Sequence, residues 1–407
     1  MEYGCIGRKL SHSFSKTIHG ELCDYEYELL ELEPEELESF FEKRDFRAIN
    51  VTIPYKRDVM PFLDVIEERT KRIGAVNTVV NRGGVLYGYN TDYGGMRALI
   101  RRVGADPRGK KVAILGSGGT SRTALAVVRD LGAGEAFRVS RSGGEGLVTY
   151  DRIPEDTDII INTTPCGMYP NVGGAAVDIS RFPRLSGVID AVYNPLRSTL
   201  VLDAKERGIP AEGGLYMLVA QAVFAAEHFT GRRFDESETD RVFAKLVAQK
   251  QNVVLIGMPG CGKSTVGAAL GEVTDTDALI REREGCEIAE IFARGGEALF
   301  RDIEAEVIAA LATEQGRVIA TGGGAVLRAE NVKNLRRNGV LVFIDRPPEL
   351  LTATADRPLS SDEGKLRALY EARLPVYNAV CDIRVDGSGS VSEVAERIRN
   401  ECKDISL

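Results

Sequence analysis

The chain has 407 residues, a 43% hydrophobic composition and a formal net charge of −8. That length exceeds what a single hydrophobic core usually supports, so two or three domains are predicted. Acidic and basic residues are mixed along the chain, which argues against nucleic acid or an anionic membrane surface as the main partner and leaves small molecules as the expected ligands.

Predicted strands and helices are mixed over the first hundred residues. Residues 25–32 largely alternate between apolar and polar side chains, as a half-buried strand does, and residues 48–53 form a second strand candidate. Residues 77–89 are predicted to fold back at Arg82-Gly83-Gly84, because glycines favour tight turns. This part of the chain therefore predicts a lobe of mixed strands and helices.

A βαβ pattern follows. The apolar run 111–115 ends at a glycine turn, and a helical stretch separates it from a strand at 136–139. Apolar runs at 158–161 and 188–189 each precede a loop with Asn, Thr, Pro or Tyr, which is typical of a parallel sheet with ligand groups at its carboxyl edge. The sheet is predicted to end near Pro210.

Helical patterns at 215–228 and 236–249 close this part, and a strand at 253–256 follows directly. The elements predicted after this strand are, in chain order, a helix, an acidic turn, a long helix, a strand at 317–320, a glycine run and a strand at 339–344. The expected fold class is therefore α/β throughout, with a two-lobed unit containing a Rossmann-type sheet and then a compact nucleotide-binding domain with a parallel sheet.

The seven cysteines are scattered and never form a Cys-x-x-Cys pair, which is typical of reduced thiols in a cytoplasm. No apolar run approaches the ~18 residues that span a bilayer, and the start of the chain lacks the apolar core of a signal peptide. The three histidines have no ligand-like spacing, which argues against a transition-metal site. A cytoplasmic protein is expected, and its oligomeric state is left open.

Residues Gly116-Ser-Gly-Gly-Thr-Ser-Arg122 form a glycine-rich turn directly after a predicted strand. Such a turn bends tightly and lets backbone N–H groups and a helix N-terminus face a pyrophosphate. The residues predicted to bind a dinucleotide are Gly116, Ser117, Gly118, Gly119 and Thr120. A purely structural turn is the alternative, because Ser121 stands at the third position of the motif.

The next predicted strand ends in Ser140-Arg141-Ser142. Enzymes selective for the unphosphorylated cofactor usually carry an acidic residue here to hold the ribose hydroxyls, whereas a cation and two hydroxyls suit a 2′-phosphate. Ser140, Arg141 and Ser142 therefore predict NADP(H) rather than NAD(H). A solvated surface side chain is the alternative for Arg141.

Polar clusters lie upstream of the glycine turn at Ser11-His-Ser-Phe-Ser15, Asn50-Val-Thr-Ile-Pro-Tyr-Lys56, Gly74-Ala-Val-Asn-Thr78 and Tyr89-Asn-Thr-Asp92. Their hydroxyls, amides, lysine and aspartate at strand ends suit a polyhydroxylated ligand. Downstream follow Asn162-Thr-Thr-Pro165, Asp190-Ala-Val-Tyr-Asn-Pro195 and Gly213-Gly-Leu-Tyr-Met-Leu-Val-Ala-Gln221. In this order the clusters make residues 1–249 resemble shikimate dehydrogenase.

The resemblance implies a catalytic pair, Lys56 and Asp92, beside the carbonyl that receives a hydride. Such a carbonyl develops oxyanion character, which an ammonium can stabilise and protonate, and a neighbouring carboxylate keeps that ammonium charged. An ordinary surface ion pair is the alternative. The resemblance also implies Gly214 at the nicotinamide end of the cofactor and a shikimate site formed by Ser13, Ser15, Thr52, Asn77, Asp92, Tyr193 and Gln221.

Residues Gly257-Met-Pro-Gly-Cys-Gly-Lys-Ser-Thr265 form a second glycine-rich loop after an apolar strand. In the pattern Gly-x-x-x-x-Gly-Lys-Ser, backbone N–H groups receive phosphates, the lysine reaches the terminal phosphates and the serine binds Mg²⁺. ATP and Mg²⁺ are therefore expected, with Lys263 catalytic and Ser264 on the metal. The predicted nucleotide-binding residues are Gly257, Pro259, Gly260, Cys261, Gly262, Lys263, Ser264 and Thr265.

Further motifs point to the phosphoryl acceptor. They are Asp275-Thr-Asp277, Gly295-Gly-Glu-x-x-Phe-Arg301-x-x-Glu304, Gly322-Gly-Gly324, Arg357-Pro-Leu and Arg373-x-Pro-x-Tyr377, and together they make residues 252–407 resemble shikimate kinase. The resemblance implies that Asp275 lies near the magnesium shell and that Asp277 orients the acceptor hydroxyl in catalysis. It also implies that Arg301 and Arg373 bind the carboxylate of the acid and that Gly323 lines the acceptor pocket. A catalytic Arg357 is implied to reach over ATP. Paired arginines suit a small carboxylic acid because a guanidinium donates two parallel hydrogen bonds. A solvated helix face is the alternative for Arg301.

The sequence therefore predicts a bifunctional enzyme that reduces 3-dehydroshikimate to shikimate with NADPH and then phosphorylates the 3-hydroxyl of shikimate with MgATP. Its expected domains are a shikimate-binding lobe (1–97 plus 215–249), a Rossmann NADP domain (98–214) and a kinase domain (250–407).

Two alternatives stay open. The segment from Lys263 to Asp275 is shorter than is usual in shikimate kinases, and a second lid arginine is missing. The second half could therefore be a regulatory nucleotide-binding module attached to a working dehydrogenase. For the first half, a preference for quinate or for NAD is the alternative, against which Arg141 is the main argument.

Overall fold

The computed structural model describes residues 1–10, 14–351 and 363–403. The chain divides into two compact units. The first unit contains Met1–Asn194 and Asp203–Lys245, and the second contains Pro195–Leu202 and the chain from Leu246 onward. The three domain ranges expected from the sequence stay a prediction.

The helices of the described residues are α1 (Ser15–Leu22), α2 (Leu37–Lys43), α3 (Glu68–Ile73), α4 (Asp92–Val103), α5 (Gly119–Asp130), α6 (Thr199–Glu206), α7 (Leu215–Thr230), α8 (Glu236–Lys250), α9 (Lys263–Leu270), α10 (Thr276–Glu284), α11 (Ile288–Leu311), α12 (Ala329–Arg336), α13 (Glu363–Val380) and α14 (Val391–Lys403). The strands are β1 (Tyr3–Gly7), β2 (Tyr27–Glu31), β3 (Ala48–Val51), β4 (Val65–Ile66), β5 (Thr78–Arg82), β6 (Val85–Tyr89), β7 (Lys111–Leu115), β8 (Glu135–Val139), β9 (Leu147–Val148), β10 (Ile159–Asn162), β11 (Gly187–Asp190), β12 (Ala211–Glu212), β13 (Asn252–Ile256), β14 (Val273–Asp275), β15 (Val318–Ala320), β16 (Gly339–Asp345) and β17 (Ile383–Asp386).

The first sheet of the first unit has the strand order β2-β1-β3-β5-β6-β4. Strand β1 pairs in parallel with β2 and β3, whereas β3, β5 and β6 pair antiparallel. The hairpin between β5 and β6 turns at Gly83 and Gly84, whose φ angles of 61° and 89° favour glycine. The turn predicted at this place is therefore confirmed.

The second sheet of the first unit is parallel, in the order β12-β11-β10-β7-β8-β9. This confirms the predicted Rossmann-type arrangement. The sheet was predicted to end near Pro210, and its last strand in chain order, β12, ends at Glu212, with Ala211 paired to Val188. A strand of two residues, Ala211–Glu212, is too short to show alternation in the sequence.

The sheet of the second unit is also parallel, in the order β14-β15-β13-β16-β17. Its central strand contributes Val254, Leu255 and Ile256 to the core, all fully buried. Between the helix after the loop and the long helix, where the sequence predicted an acidic turn, the structure has strand β14, which ends at Asp275, and helix α10. Because parallel strands end at the same edge, the glycine-rich loop after β13, Asp275 after β14 and the glycine run after β15 come to one edge of the sheet.

Within the described ranges, no helix combines the length and the apolar character that a membrane crossing requires.

The seven cysteines are free thiols. Burial raises the pKa of Cys5 to about 12 and that of Cys402 to about 11. Burial also raises the pKa of Cys23, Cys166 and Cys381. These five side chains are therefore protonated thiols near neutral pH.

His19 lies in an aromatic stack of the first unit. Its ring centroid lies 4.1 Å from that of Tyr27 and 5.5 Å from that of Phe229. Its Nδ1 shares a hydrogen bond with the Tyr25 hydroxyl at 2.6 Å. Burial lowers the pKa of His19 to about 3, because the imidazolium would lose its hydration inside the stack.

We expect this histidine to make the first unit sensitive to acid. His19 is protonated near pH 6.5 in the unfolded chain but only near pH 3 in the folded chain. The contribution of the neutral imidazole to the free energy of unfolding is therefore complete above pH 6.5 and is lost as the pH falls toward 3. At pH 5.5 the free energy of unfolding should be lower by about 1.4 kcal/mol. Urea unfolding at pH 8 and pH 5.5, followed by circular dichroism, measures this loss.

The matched variant is His19→Phe, which keeps an aromatic ring in the stack but cannot be protonated. Its overall stability will differ because Tyr25 loses a hydrogen-bond partner. Its loss between pH 8 and pH 5.5 should nevertheless be smaller than that of the wild-type chain by about the same 1.4 kcal/mol. Equal losses in the two proteins would contradict the assignment.

Candidate active sites

Lys56 and Asp92 form an ion pair in the first unit. Lys56 Nζ lies 2.6 Å from Asp92 Oδ2, and the two side chains are 18% and 8% exposed. Asp92 is the first residue of α4, where the peptide dipoles of the helix stabilise a carboxylate. Asn77 Nδ2 donates to the other carboxylate oxygen, Oδ1, at 2.9 Å. The carboxylate is thus held on both oxygens, and it in turn orients the ammonium.

A network of amides extends this pair to α7. Asn77 Nδ2 lies 3.4 Å from Gln221 Oε1, and the backbone N–H of Thr91 donates to Asn77 Oδ1 at 2.7 Å. Gln221 Nε2 donates to the carbonyl of Leu218 at 2.9 Å, which fixes the direction of the amide. The structure therefore brings Lys56, Asn77, Asp92 and Gln221 together. Thr91 joins them; it belongs to the polar cluster Tyr89-Asn-Thr-Asp92, but the sequence assigned it no role of its own.

Three other predicted contacts lie at the ends of separate elements. Ser15 opens α1, and Thr52 follows β3, where its backbone N–H donates to the carbonyl of Ile6 at 3.0 Å. Tyr193 follows β11 and packs edge-on against Phe14, with ring centroids 5.4 Å apart. Their roles as shikimate contacts stay predictions. Ser13 lies outside the described residues.

The glycine-rich turn after β7 is shaped to approach another molecule closely. Gly116 has a φ of 124°, and a Cβ on it would lie 2.5 Å from Thr163 Oγ1. Gly118 precedes α5, and a Cβ built on it would meet nothing within 4 Å, so its backbone faces open space. Ser117 is exposed beside it, and Thr120 lies in the first turn of α5. This arrangement fits the phosphates of a dinucleotide.

The two ends of the predicted cofactor site differ in how closely they are packed. Arg141 and Ser142 are exposed after β8, whereas the Ser140 hydroxyl donates to the carbonyl of Gly143 at 3.1 Å. At the other end, a Cβ on Gly214 would overlap the carbonyl oxygen of Ala191. A side chain at Gly214 is therefore excluded by the backbone of the loop after β11.

The second glycine-rich loop wraps around the N-terminus of α9. Gly257, Gly260 and Gly262 have φ angles of 143°, 78° and 91°, which favour glycine. Lys263 is the first residue of α9, and its Nζ donates to the carbonyls of Gly257 at 2.9 Å and Met258 at 2.8 Å. The loop thus has the form of a phosphate cradle with a lysine at its base. The helix after it has eight residues, Lys263–Leu270.

Ser264 and Asp275 lie side by side at the edge of this loop. The Ser264 hydroxyl donates to Asp275 Oδ2. The other carboxylate oxygen, Oδ1, accepts from the backbone N–H groups of Asp277 at 2.9 Å and Ala278 at 3.2 Å and so caps α10. A hydroxyl and a carboxylate at this spacing are oxygen ligands suited to Mg²⁺.

The glycine run after β15 is surrounded by the predicted acceptor residues. A Cβ on Gly322 would lie 2.7 Å from Glu304 Oε1 and 2.9 Å from Asp277 Oδ1. A Cβ on Gly323 would lie 2.7 Å from Cδ of Pro259 in the phosphate loop. The run therefore places the acceptor residues next to the nucleotide loop, and only glycine leaves enough room.

Arg301 is held by two carboxylates of its own helix. Its Nη1 donates to Oε2 of the fully buried Glu304 at 2.7 Å, and its Nη2 donates to Glu297 Oε1 at 3.1 Å. Burial raises the pKa of Glu304, although the charge of Arg301 opposes this shift. The sequence assigned no role to Glu304, yet its spacing of three residues from Arg301 is that of a helical ion pair.

Helix α13 contributes Arg373 and Tyr377 to the residues around the glycine run. Arg373 is buried, and Tyr377 donates from its hydroxyl to the carbonyl of Gly323. Burial raises the pKa of Tyr377, while the neighbouring Arg373 opposes the shift. The structure thus gathers Asp277, Arg301, Gly323 and Arg373, whereas Arg357 lies outside the residues that are described.

Comparisons with known proteins agree with both halves. Residues 5–79 match the family described as Shikimate dehydrogenase substrate binding domain, and residues 259–403 match the family described as Shikimate kinase. A protein named Shikimate dehydrogenase (NADP(+)) from Clostridium perfringens is 36% identical over 264 residues, which cover 60% of this chain and 97% of the relative.

Two crystal structures resemble the same part of the chain. Shikimate Dehydrogenase 1 from Peptoclostridium difficile has a TM-score of 0.55 at 36% identity and covers 60% of this chain and 98% of its own. Shikimate 5-Dehydrogenase from Thermus thermophilus, in complex with NADP(H) and shikimate, has a TM-score of 0.54 at 26% identity and covers 60% and 99%. The chain therefore belongs to the shikimate dehydrogenase family and carries a shikimate kinase domain over residues 259–403.

Proposed function

We propose that this chain catalyses two consecutive reactions, the reduction of 3-dehydroshikimate to shikimate with NADPH and the phosphorylation of the shikimate 3-hydroxyl with MgATP. The observation that carries the proposal is that each unit gathers its own reactive groups. In the first unit Lys56 lies 2.6 Å from Asp92, and in the second Asp277 and Arg301 meet at the glycine run beside the phosphate loop. The names of the relatives and the matched kinase family support the two activities.

In the reduction, NADPH supplies a hydride to the carbonyl carbon when it is bound. Lys56 donates a hydrogen bond to the carbonyl oxygen and gives it a proton as the charge on oxygen develops. The proton that Lys56 loses is replaced from solvent. Asp92 orients the ammonium, and Asn77 and Gln221 are proposed to hold the hydroxyls of the substrate.

The cofactor is proposed to lie along the carboxyl edge of the parallel sheet. Backbone N–H groups of the turn from Gly116 to Thr120 would hold the pyrophosphate, and Arg141 would pair with the 2′-phosphate. Gly214 would lie against the nicotinamide, at a position where the Ala191 carbonyl leaves no room for a side chain. Because Arg141 would pair with the 2′-phosphate, NADPH rather than NADH is the expected reductant. Shikimate rather than quinate is the expected product.

In the phosphorylation, MgATP supplies the terminal phosphoryl group when it is bound. Asp277 is proposed to orient the 3-hydroxyl and to accept its proton. Lys263 would balance the charge of the terminal phosphates, and Ser264 and Asp275 would hold Mg²⁺. Arg357 would add a further positive charge over the nucleotide.

The two carboxylates on Arg301 suggest how it receives an acid. Glu297 is half-exposed, so solvent weakens its ion pair with Arg301, whereas Glu304 is fully buried. A ligand carboxylate can therefore replace Glu297 while Glu304 keeps the guanidinium in place. We propose that shikimate binds in this way, with Arg373 as the second guanidinium.

We expect Gly324→Ala to weaken shikimate binding. The added Cβ would overlap the guanidinium of Arg301 and move it from its position. Loss of a charge-assisted hydrogen bond costs about 1.5–3 kcal/mol, so KM for shikimate should rise roughly tenfold or more. Kinase assays at saturating MgATP measure this change.

The matched control is Gly271→Ala, because a Cβ there would make only an ordinary contact of 3.8 Å with Val318. It should leave KM for shikimate unchanged. A Gly324→Ala enzyme with wild-type KM would show that Arg301 does not bind the acid.

A coupled assay tests the whole proposal. The full chain is supplied with 3-dehydroshikimate, NADPH and MgATP, and the oxidation of NADPH and the release of ADP are followed together. Both signals should appear, and ADP release should begin only after shikimate has formed. ADP release that does not depend on shikimate, or no release at all, would instead support a regulatory nucleotide-binding module. Initial rates with NADH and with quinate test the other alternative, a dehydrogenase that prefers NAD or quinate.

The free thiols support the prediction of a reducing cytoplasmic environment for the enzyme. Disulfides are rare where glutathione and thioredoxin keep thiols reduced. We propose this location on that ground.

A further inference from the structure

Five arginines line one cavity of the first unit, outside the groups described above. The cavity has a volume of about 460 Å³, and its arginines are Arg69, Arg72, Arg122, Arg129 and Arg138. They come from α3, α5 and β8. We call this feature the arginine cavity.

The positive charges of the arginine cavity are not balanced by the chain. Within residues 1–10, 14–351 and 363–403, no carboxylate oxygen lies within 4.0 Å of any of the five guanidinium groups. Asp130 also lines the cavity, but it accepts a hydrogen bond from the Tyr93 hydroxyl at 2.8 Å. Because arginine stays protonated, five positive charges and one negative charge face the same space.

Arg138 shows the lack of a partner most clearly. Its Nε is buried and has no hydrogen-bond acceptor in the structure. Burial, together with the charges of Arg122 and Arg129, lowers the pKa of this guanidinium. A buried donor without an acceptor and a group of like charges both destabilise the folded chain, and an anion in the cavity would relieve both.

None of the residues expected to bind the dinucleotide lines this space. The turn from Gly116 to Thr120 and the Ser140–Ser142 segment are absent from its lining. Arg122 and Arg129 lie further along α5, and Arg69 and Arg72 come from α3. The lining of the arginine cavity therefore differs from the residues proposed to bind the cofactor, although Arg122 is the last residue of the glycine-rich turn motif.

We propose that the arginine cavity binds a small polyanion, a molecule with several phosphate or carboxylate groups. Guanidinium groups donate paired hydrogen bonds to either kind of oxyanion. Four net positive charges, five arginines less Asp130, match a ligand with three or four negative charges. The volume has room for roughly 15 groups of the size of water.

The test is calorimetric titration of the full chain with two probes, inorganic pyrophosphate and citrate. The chain carries Lys263→Ala, so that the phosphate loop does not take the pyrophosphate, and saturating NADP⁺ occupies the cofactor site. We expect one molecule of at least one probe to bind per chain. Binding of pyrophosphate alone identifies a phosphate site, and binding of citrate alone identifies a carboxylate site.

Two variants locate the binding. The double variant Arg129→Gln and Arg138→Gln should weaken binding of the probe at least tenfold. If the double variant lowers the thermal stability, Arg129→Gln alone, at an exposed position, serves as the second variant. The control is Arg108→Gln, which removes an exposed arginine that does not line the cavity. Binding of neither probe, or equal affinity in all variants, would overturn the proposal.

Discussion

Lys56→Ala should lower the turnover of 3-dehydroshikimate by about 10²- to 10⁴-fold, the usual contribution of a positioned proton donor. The ammonium lies 2.6 Å from Asp92 and stabilises charge that develops only as the hydride is transferred. The variant should therefore lose kcat more than it changes KM. Phosphorylation of added shikimate by the same chain should stay at the wild-type rate.

The control for this experiment is Lys71→Ala. Lys71 also lies 2.7 Å from a carboxylate, that of Glu68, but both side chains are exposed on α3. Reduction by this variant should be unchanged, because an exposed ion pair contributes little. If Lys56→Ala retained a tenth or more of the wild-type kcat, the proton donor would have to be sought elsewhere.

Lys263→Ala should have the reverse effect. Phosphorylation should fall about 10²- to 10³-fold or more, as expected when a preorganised charge is removed from a transferring phosphoryl group. Reduction of 3-dehydroshikimate should continue at the wild-type rate. The coupled assay then shows NADPH oxidation without ADP release.

Lys263 also binds the carbonyls of Gly257 and Met258, so part of the effect could come from a distorted loop. Lys263→Arg separates the two causes, because it keeps a positive charge and several donors. Lys245→Ala, which removes an exposed lysine paired with Glu21 at 2.7 Å, is the control. Rapid phosphorylation by Lys263→Ala would contradict the role assigned to this residue.

Long apolar strands could be predicted from the sequence, and very short ones could not. Strands β13 and β16 are continuous apolar runs in the middle of a parallel sheet, which gives a strong local pattern. Strands β12 and β14 have two and three residues, and only their neighbours in the sheet make them strands. The sequence pattern therefore predicted neither of them.

The candidate sites also differ in how far they could be predicted from the sequence. The phosphate loop is one contiguous motif, so its residues could be read directly. Lys56 and Asp92 are 36 residues apart, and Asn77 and Gln221 are 144 apart. No periodicity connects such positions, and only the resemblance to a known family could single them out.

The arginine cavity had no signal in the sequence at all. Its members lie on two helices and one strand between positions 69 and 138, and no motif of the sequence groups them. Only the folded chain shows that they converge without carboxylates. Charge that is distributed in this way becomes informative when the tertiary structure is known.

The protonated thiols have a practical consequence for the purified enzyme. Alkylating reagents attack the thiolate, and burial keeps five of the seven sulfur atoms from forming it. Cys261, inside the phosphate loop, is only 1% exposed, so a bulky maleimide has little access to it. These six cysteines should therefore react slowly with thiol reagents and air during handling, which leaves the partly buried Cys286 as the remaining thiol.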